Sequence, residues 1–488
     1  MQIPLKKITL SLVAALSCVF FPLTLLGATA GSDSEEWVGS SAAAPFKSGD
    51  TVCWVGDSIT HLGNYHALIQ LFYVTRFPDR DITYHNCGIG GDTAGGIMQN
   101  SPGYRFKHDI LSHKPTVATI MLGMNDVNRG AYAKNAPQDA TKKAAAAAAL
   151  ADYDKNMQLM IEGLQAAGAR VILLRPTIYD ETAVLRGQPS PLAGVNGALG
   201  ACAAKMTEWS AKYHTGLVDF YDRMNAINAA EQKKDPSFTI VGGDRIHPGP
   251  VGHLVMAYAF LKDTGMTPWV AKMTVDGKNG SVLESTNCTI SKTSSSPGKV
   301  SFECLEGSLP YPVSPAASKV LDLVPFTKEL NQELLMVTKL PAGKWSLTID
   351  GQACGDFSSE QLSGGVNLAT ITSTPQYKQA AAIMIINDRR MGLEMREIRN
   401  MARTEYGIAA KISPSADAAQ VLASVQKQVD EQAAKDPQKV SPVLKSIVDT
   451  TARQAALAKE HEFAVAMRTA AKPRPHTYVL TPAGAAAQ

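Results

Sequence analysis

An apolar run that stops at a glycine, with a serine two residues further on, is the feature that most limits how this chain folds. Residues 51–55 are apolar or β-branched, and Gly56-Asp57-Ser58 follows them. Runs of this kind, when glycine closes them, are typical of buried strands in an open α/β sheet. Ligands of such sheets bind at the carboxyl ends of the strands. Ser58 is therefore predicted to lie where an active-site residue would lie, although Gly-Asp-Ser is also an ordinary turn and helix-cap sequence.

Further strand-like runs alternate with helical stretches after this first run. The longest helical stretch, residues 141–167, contains an alanine run that strongly favours helix. A later helix is expected to begin near Pro248-Gly249-Pro250, because proline suits the first helical position, and to end at Gly265. This alternation predicts a mostly parallel sheet with helices on both faces, so we expect a three-layer α/β/α domain over residues 48–267. The other predicted strands are residues 82–86, 117–122, 171–174 and 217–220.

The chain beyond residue 267 has a different pattern, as expected for a length that predicts two or three domains. Residues 268–375 contain short strand-like runs separated by turn sequences such as Asp276-Gly277, which predicts a small β-rich domain. Residues 376–488 are Ala- and Gln-rich with helical spacing and predict a helical region that ends in an extended tail. Within the β-rich part, two runs are predicted as antiparallel strands, residues 334–337 and 345–349.

The amino-terminal segment has the layout of a secretory signal peptide. Lys6-Lys7 precedes an apolar stretch at 8–26, and Ala28-Thr29-Ala30 places small residues where a signal peptidase cleaves. We therefore expect residues 1–30 to be removed, residues 31–47 to form a linker, and the mature protein to be exported to the periplasm or the medium. A retained membrane anchor is the alternative, because the apolar stretch is long enough to cross a bilayer.

The composition limits what the chain can bind. The net charge is +3 and there is no dense basic stripe, so a nucleic-acid partner is not expected. The sequence has no Cys/His cluster with metal-ligand spacing, so neither a metal site nor a cofactor is predicted. Cys288 and Cys304 flank a Ser/Pro/Gly-rich turn that suits a cross-linked hairpin in an exported protein. The sequence leaves open whether this disulfide forms and what the oligomeric state is.

Polar residues gather at the predicted strand ends and form a plausible catalytic set. A serine such as Ser58 becomes a good nucleophile only when a base accepts its proton, and His247 is the candidate base because histidine titrates near neutral pH. Asp244, three residues before His247, can orient the imidazole and stabilise its charged form. The oxyanion that forms needs preorganised donors. The backbone N–H groups of Ser58 and Gly91 and the side-chain amide of Asn125 could supply them, and glycine at 91 allows close approach of the backbone.

At this point the residues resemble the four sequence blocks of the SGNH (GDSL-type) hydrolases, in the family's order and over residues 48–265. The resemblance implies a flavodoxin-like α/β/α fold and ester hydrolysis through a serine acyl-enzyme. It implies Ser58 as nucleophile, His247 as base and Asp244 as the orienting acid, with Gly91 and Asn125 as oxyanion donors. The part after residue 267 looks like the extension of some secreted bacterial members. The four blocks are Gly56-Asp57-Ser58-Ile59-Thr60, Asn86-Cys87-Gly88-Ile89-Gly90-Gly91-Asp92-Thr93, Gly123-Met124-Asn125-Asp126 and Asp244-Arg245-Ile246-His247-Pro248.

Several residues near the strand ends have both a functional and a purely structural interpretation. Asp57 could touch substrate or simply cap the next helix, and Asp219 and Asp222 are rival carboxylates for His247. Residues that follow the third and fourth strands could line the pocket or lie on plain surface. These candidate substrate-binding residues are Arg129, Tyr132, Arg175, Thr177 and Tyr179, in addition to Asp57.

The sequence thus predicts an exported serine ester hydrolase whose substrate is a small-molecule or polysaccharide ester. Carbohydrate O-acetyl esters are favoured by analogy with family members that act on polysaccharides. One alternative is a lipid esterase, lysophospholipase or thioesterase, which would need an apolar acyl channel. Another is a non-catalytic carbohydrate-binding protein on a hydrolase scaffold.

Overall fold

The structure is a computed structural model that describes residues 43–98, 103–133, 139–413 and 416–484. The predicted signal peptide and residues 31–42 of the predicted linker lie outside the described residues. Within the described ranges, every helix is too short or too polar to span a bilayer.

Five parallel strands form the central sheet, in the order β2-β1-β3-β4-β5. This is the flavodoxin-like order, in which the chain reverses direction across the sheet next to β1 and leaves a crevice at the carboxyl ends of β1 and β3. The predicted fold class is confirmed. The strands are β1 (Thr51–Gly56), β2 (Thr83–Gly88), β3 (Val117–Met121), β4 (Arg170–Arg175) and β5 (Gly216–Asp219).

Helices cover both faces of this sheet because side chains along β1 alternate between two separate cores. Val52 and Trp54 pack into the core shared with α2 and α7, whereas Cys53 and Val55 pack into the core shared with α4 and α5. A strand that buries side chains on both faces has a continuous apolar sequence and not an alternating one. The helices of this part are α1 (Ser58–His61), α2 (Asn64–Arg76), α3 (Ala94–Met98), α4 (Ala140–Ala166), α5 (Val195–Tyr213), α6 (Tyr221–Glu231) and α7 (Pro250–Asp263).

The β-rich part consists of two further sheets that pack around one apolar core. One sheet has the order β13-β10-β6-β7 and the other β12-β11-β14-β9-β8. The strands are β6 (Trp269–Asp276), β7 (Val282–Thr286), β8 (Cys288–Ser296), β9 (Lys299–Glu306), β10 (Gln332–Thr338), β11 (Lys344–Ile349), β12 (Gln352–Ser358), β13 (Val366–Asn367) and β14 (Pro475–Pro482); the short helices are α8 (Val320–Leu323), α9 (Phe326–Leu330) and α10 (Ser359–Gly364).

The two strands predicted from residues 334–337 and 345–349 do not pair with each other. The strands predicted at 334–337 and 345–349 exist as β10 and β11, but they lie in different sheets, and β10 runs parallel to β6 for most of its length. The expected antiparallel pairing of these two strands with each other was therefore wrong. β11 is antiparallel to β12 and β14, whereas β10 is antiparallel only to the short strand β13. The turn between β10 and β11 carries the chain from one sheet to the other across the core that both sheets share. Cys288 and Cys304 lie on the paired strands β8 and β9 as free thiols.

The carboxyl-terminal helices leave the β-rich part and return to it. β14, near the end of the chain, inserts between β9 and β11 and completes their sheet. Between these two points the helices pack back on the α/β domain, where Asn387 donates to the Ala67 carbonyl of α2 at 2.9 Å. The helices are α11 (Pro375–Leu393), α12 (Asn400–Ile412), α13 (Ala418–Lys435), α14 (Pro442–Val448) and α15 (Thr450–Ala471), and a π-helical stretch (Glu394–Arg399) joins α11 to α12.

Candidate active site

Ser58 sits on a tight turn between β1 and α1. Asp57 caps α1, its carboxylate accepting the Ile59 N–H at 3.0 Å. Gly56 has no room for a side chain, because a Cβ atom there would lie 2.2 Å from Thr60 Oγ1 and 2.9 Å from the Met121 carbonyl. The glycine thus lets α1 begin directly against the sheet, so that Ser58 lies at the carboxyl end of β1.

A continuous line of hydrogen bonds runs from Ser58 to Asp244. Ser58 Oγ lies 2.7 Å from His247 Nε2, across 189 positions of sequence. His247 Nδ1 lies 2.5 Å from Asp244 Oδ2. A carboxylate only accepts, so Nδ1 carries the proton in this arrangement and Nε2 is left to accept from the serine hydroxyl. These three residues, predicted from the sequence blocks, are brought together.

The turn that holds His247 is itself fixed from two sides. Asp244 Oδ1 accepts the backbone N–H groups of Ile246 and His247, each at 3.0 Å. Arg245, in the left-handed conformation at φ 68°, points away and donates to the Asp180 carbonyl at 2.9 Å. Partial burial alone would raise the pKa of Asp244. The hydrogen bonds from His247 and Ile246 outweigh burial and hold the pKa of Asp244 below its usual value. Asp244 is therefore an anion that can stabilise a protonated His247.

The side-chain amide of Asn125 is oriented by two neighbours. Asn125 Nδ2 donates to the Asp92 carbonyl at 3.0 Å, and Arg129 donates to Asn125 Oδ1 at 3.2 Å. Because an amide nitrogen has two N–H bonds, one remains for a ligand. Gly91 adopts φ 91°, and the space where its side chain would be contains no atom within 4 Å. The loops of the two predicted oxyanion donors, Gly91 and Asn125, are therefore joined by the hydrogen bond from Asn125 to Asp92. Open space lies next to Gly91.

Asp126 joins the same two loops through hydrogen bonds to their backbones. Its carboxylate accepts the Ala94 N–H at 2.7 Å and the Gly123 N–H at 2.9 Å. Burial raises the pKa of Asp126 to about 7 and that of Asp57 to about 6. Both acids serve as acceptors for backbone donors that position Ser58, Gly91 and Asn125.

Known proteins share sequence and structure with this chain. Residues 54–255 match the GDSL-like lipase/acylhydrolase family. The chain is similar to an acetylxylan esterase of Geobacillus stearothermophilus, with 24% identity over 238 residues that cover 46% of this chain and 97% of that one. It is also similar to the solved structure of a gut microbial diltiazem-metabolizing enzyme, with 32% identity, a TM-score of 0.81 and coverage of 91% of this chain and 100% of that one.

The chain belongs to the GDSL-like (SGNH) hydrolase family. The resemblance predicted from its sequence blocks is thereby confirmed, and so is the coarse activity, a hydrolase that acts on esters. The similarity to the diltiazem-metabolizing enzyme extends well past the matched family region, so the β-rich and helical parts are shared with that enzyme.

Most of the predicted substrate-binding residues of this GDSL-like hydrolase have structural partners. Asp57 is 2% exposed, and Thr177 and Tyr179 are buried as well. Arg175 forms ion pairs with Asp219 at 2.8 Å and with Asp222 at 2.6 Å. These are the two carboxylates that the sequence offered as alternatives to Asp244 for His247. The other two candidate residues are Arg129, which donates a hydrogen bond to Asn125, and Tyr132, which packs beside Gly194.

The helical region supplies residues that no sequence block indicated. Arg399, at the end of the π-helical stretch, is buried and donates to both carboxylate oxygens of Asp109 at 2.8 Å and to the Gly88 carbonyl at 3.0 Å. Gly88 ends β2, next to the loop that carries Gly91. One turn further along, α12 brings Arg403 over Gly90. The helical region therefore surrounds part of the site in this GDSL-like hydrolase. The sequence did not predict this, because a single arginine in a helical stretch has no recognisable motif around it.

Proposed function

We propose that this protein is an exported serine esterase that removes acetyl groups from carbohydrates. The observation that carries the proposal is the hydrogen-bonded line from Ser58 through His247 to Asp244, next to an amide donor with a free N–H on Asn125. Acyl transfer needs a nucleophile, a base oriented by a third group, and donors for the oxyanion. All three are within one crevice.

The first half of the proposed reaction forms an acetyl-enzyme. His247 Nε2 accepts the proton of Ser58 as Oγ attacks the carbonyl carbon of the ester, and Asp244 stabilises the resulting imidazolium. The carbonyl oxygen becomes an oxyanion that the N–H groups of Ser58 and Gly91 and the Asn125 amide stabilise. The intermediate then breaks the bond to the alcohol oxygen, which receives the proton from His247 and leaves as the free hydroxyl.

The second half returns the enzyme to its starting state. A water molecule gives a proton to His247 Nε2 and attacks the acetyl carbon, and the oxyanion forms again at the same donors. Collapse of this intermediate breaks the bond to Ser58 Oγ, which recovers the proton from His247. Acetate is released.

A short acyl group is favoured by the polarity next to Ser58. The cavity that adjoins Gly91 is lined by the charged side chains of Asp92, Arg105 and Arg403 and by two tyrosines. An acyl chain long enough to enter this cavity would displace water from charged groups without replacing their hydrogen bonds, which costs free energy, whereas an acetyl group leaves the cavity to the alcohol part. The similarity to an acetylxylan esterase over nearly its whole length points to the same acyl group. The export half of the proposal rests on the amino-terminal pattern at residues 1–30.

The test is ester hydrolysis by purified wild-type protein, Ser58→Ala and the control Ser112→Ala, which removes an exposed hydroxyl outside the crevice. Substrates are 4-nitrophenyl esters of increasing chain length, together with acetylated xylan. We expect the highest kcat/KM with acetate, release of acetate from xylan, and loss of activity only in Ser58→Ala. Rising activity toward long chains would contradict the acetyl assignment. Activity retained by Ser58→Ala would contradict the mechanism.

Export is tested separately by producing the full chain in a bacterial host and determining the amino terminus of the protein from each cell fraction. A mature protein that begins at Gly31 in the periplasm or medium supports the proposal. An intact amino terminus on protein confined to the cytosol contradicts it.

A further inference from the structure

A cavity of about 240 Å³ lies between the α/β domain and the helical region, beside Gly91. One wall is the glycine-rich turn after β2. The other wall is α12, whose Arg403, Tyr406 and Gly407 lie three and four residues apart and therefore face the same way. The cavity adjoins the crevice that contains Ser58, so a substrate bound there can extend into it.

The charges in and behind the cavity wall almost cancel. Arg105 forms ion pairs with Asp92 at 2.6 Å and with Asp109 at 2.7 Å. Arg399 forms a second ion pair with Asp109 at 2.8 Å. These two arginines and two aspartates neutralise each other. The acid closest to Arg403 along α12, Glu405, is paired with Arg453.

Among the described residues, Arg403 is the one charged residue lining the cavity that the ion pairs described above do not include. Within the described ranges it makes neither an ion pair nor a hydrogen bond to another residue, and it is exposed. Its guanidinium carbon lies 3.8 Å from the point where a Cβ atom of Gly90 would be, and Ser58 Cβ lies at the same distance from that point. Arg403 and Ser58 are therefore separated by no more than twice that distance. Glycine at 90 leaves the space between them open.

We infer that Arg403 binds an anionic group of the substrate and selects acetyl esters whose alcohol part carries a carboxylate, such as acetylated acidic sugars. This inference rests on the proposed function, because it takes acetyl as the acyl group and so places the anion on the alcohol part. A guanidinium can hold a carboxylate with two parallel hydrogen bonds.

The test compares two acetyl esters that differ only in charge: 4-acetoxybenzoate, which is anionic, and methyl 4-acetoxybenzoate, which is neutral. The enzymes are wild type, Arg403→Gln, Arg403→Lys and the control Arg389→Gln, which removes an exposed arginine of α11 that does not line the cavity. We expect Arg403→Gln to lower kcat/KM for the anionic ester about 3- to 30-fold, less than for a buried pair because the exposed guanidinium is screened by solvent. The neutral ester should change less than about twofold, and Arg403→Lys should restore part of the loss.

Equal losses on both esters, or no loss on either, would overturn the inference. In either case hydrolysis of 4-nitrophenyl acetate by Arg403→Gln, and its absence in Ser58→Ala, would leave the proposed function in place. The neutral ester also reports folding, since a misfolded variant loses activity on both substrates, and a matched far-ultraviolet spectrum then assigns equal losses to the folded enzyme. An effect of Arg389→Gln as large as that of Arg403→Gln would show that net charge, and not this cavity, governs selection.

Discussion

The crevice around Ser58 has two walls of different origin. The sheet wall (Ser58, Gly91, Asn125 and His247) comes from short blocks of consecutive residues. Three of these residues follow the ends of strands, and His247 lies on the loop between α6 and α7. The helical wall (Arg403, Tyr406 and Gly407) comes from α12, far along the chain and without a recognisable block. The proposed catalytic residues thus come from short sequence motifs, whereas the proposed selection of substrate depends on how α12, a helix remote in sequence, packs against the α/β domain.

The helical wall is fixed by polar contacts through its neighbours. Arg399 reaches Asp109 and the Gly88 carbonyl, as described above, and both groups belong to the α/β domain. Arg390 of α11 hydrogen-bonds Gln70 of α2 and forms an ion pair with Glu460 of α15 at 2.8 Å. If the two walls have separate roles, variants of the first should remove catalysis and variants of the second should remove stability or selectivity.

The largest effect is expected for a sheet-wall variant. Asn125→Ala removes one oxyanion donor and should lower kcat about 10²–10³-fold, equivalent to about 2.7–4 kcal/mol. The measurement is kcat with 4-nitrophenyl acetate, accompanied by the melting temperature. The melting temperature should stay close to that of wild type, since the side chain holds one neighbouring carbonyl. An unchanged kcat would remove Asn125 from the oxyanion site.

A slightly smaller effect, on stability, is expected for a residue that holds the helical wall. Arg399→Met should lower the free energy of unfolding by roughly 3 kcal/mol, the lower end of the range for breaking a buried ion pair, because Arg105 still pairs with Asp109. Urea denaturation measures the loss, and Arg396→Met, an exposed position in the same π-helical stretch, is the control. If both variants lose equally little, the ion pair does not anchor this wall.

The smallest effect concerns pH and the link between α2 and α11. His66 is buried, donates from Nε2 to the Thr60 carbonyl and accepts at Nδ1 from the Gln70 amide, each at 3.2 Å. The charges of Arg390, His253 and Arg399 act on it. Burial first, and then the Arg390 charge, lowers the pKa of His66 to about 3. The unfolded chain binds a proton near pH 6.5 that the folded chain does not, so stability falls as the pH falls. His66 alone should contribute a loss of about 2 kcal/mol between about pH 7 and pH 5.

Urea denaturation of wild type and His66→Gln at the two pH values measures this contribution. The variant should show a smaller loss of stability in acid, because glutamine does not titrate. Parallel pH dependences in the two proteins would show that His66 takes up its proton equally well in the folded state.

Local pattern was enough for the sheet and the sheet wall. Apolar runs that end at Gly56 or Gly123 predicted strands because burial on both faces leaves a continuous apolar sequence. The first three sequence blocks then converge because parallel strands all present their carboxyl ends at one edge. The fourth block, with Asp244 and His247, reaches this edge on the loop between α6 and α7. Their catalytic roles remain predictions that the experiments above address.

Partners far apart in sequence could not be predicted in this way. β10 and β11 looked like neighbours because a turn separates them, yet each pairs within a different sheet. β14 read as an extended tail, and only the structure places it between β9 and β11. Arg403 belongs to the same class, since neither spacing nor composition indicates that one exposed arginine of α12 reaches over Gly90.

The most direct test of the central claim is to locate the reactive nucleophile chemically. The full protein is treated with diethyl 4-nitrophenyl phosphate, digested, and mapped by mass spectrometry, in parallel with His247→Ala. We expect one covalent diethylphosphoryl group, on Ser58, formed in step with the loss of esterase activity and far more slowly in His247→Ala. Loss of activity with the label on another residue, or equally fast labelling of His247→Ala, would contradict the central claim.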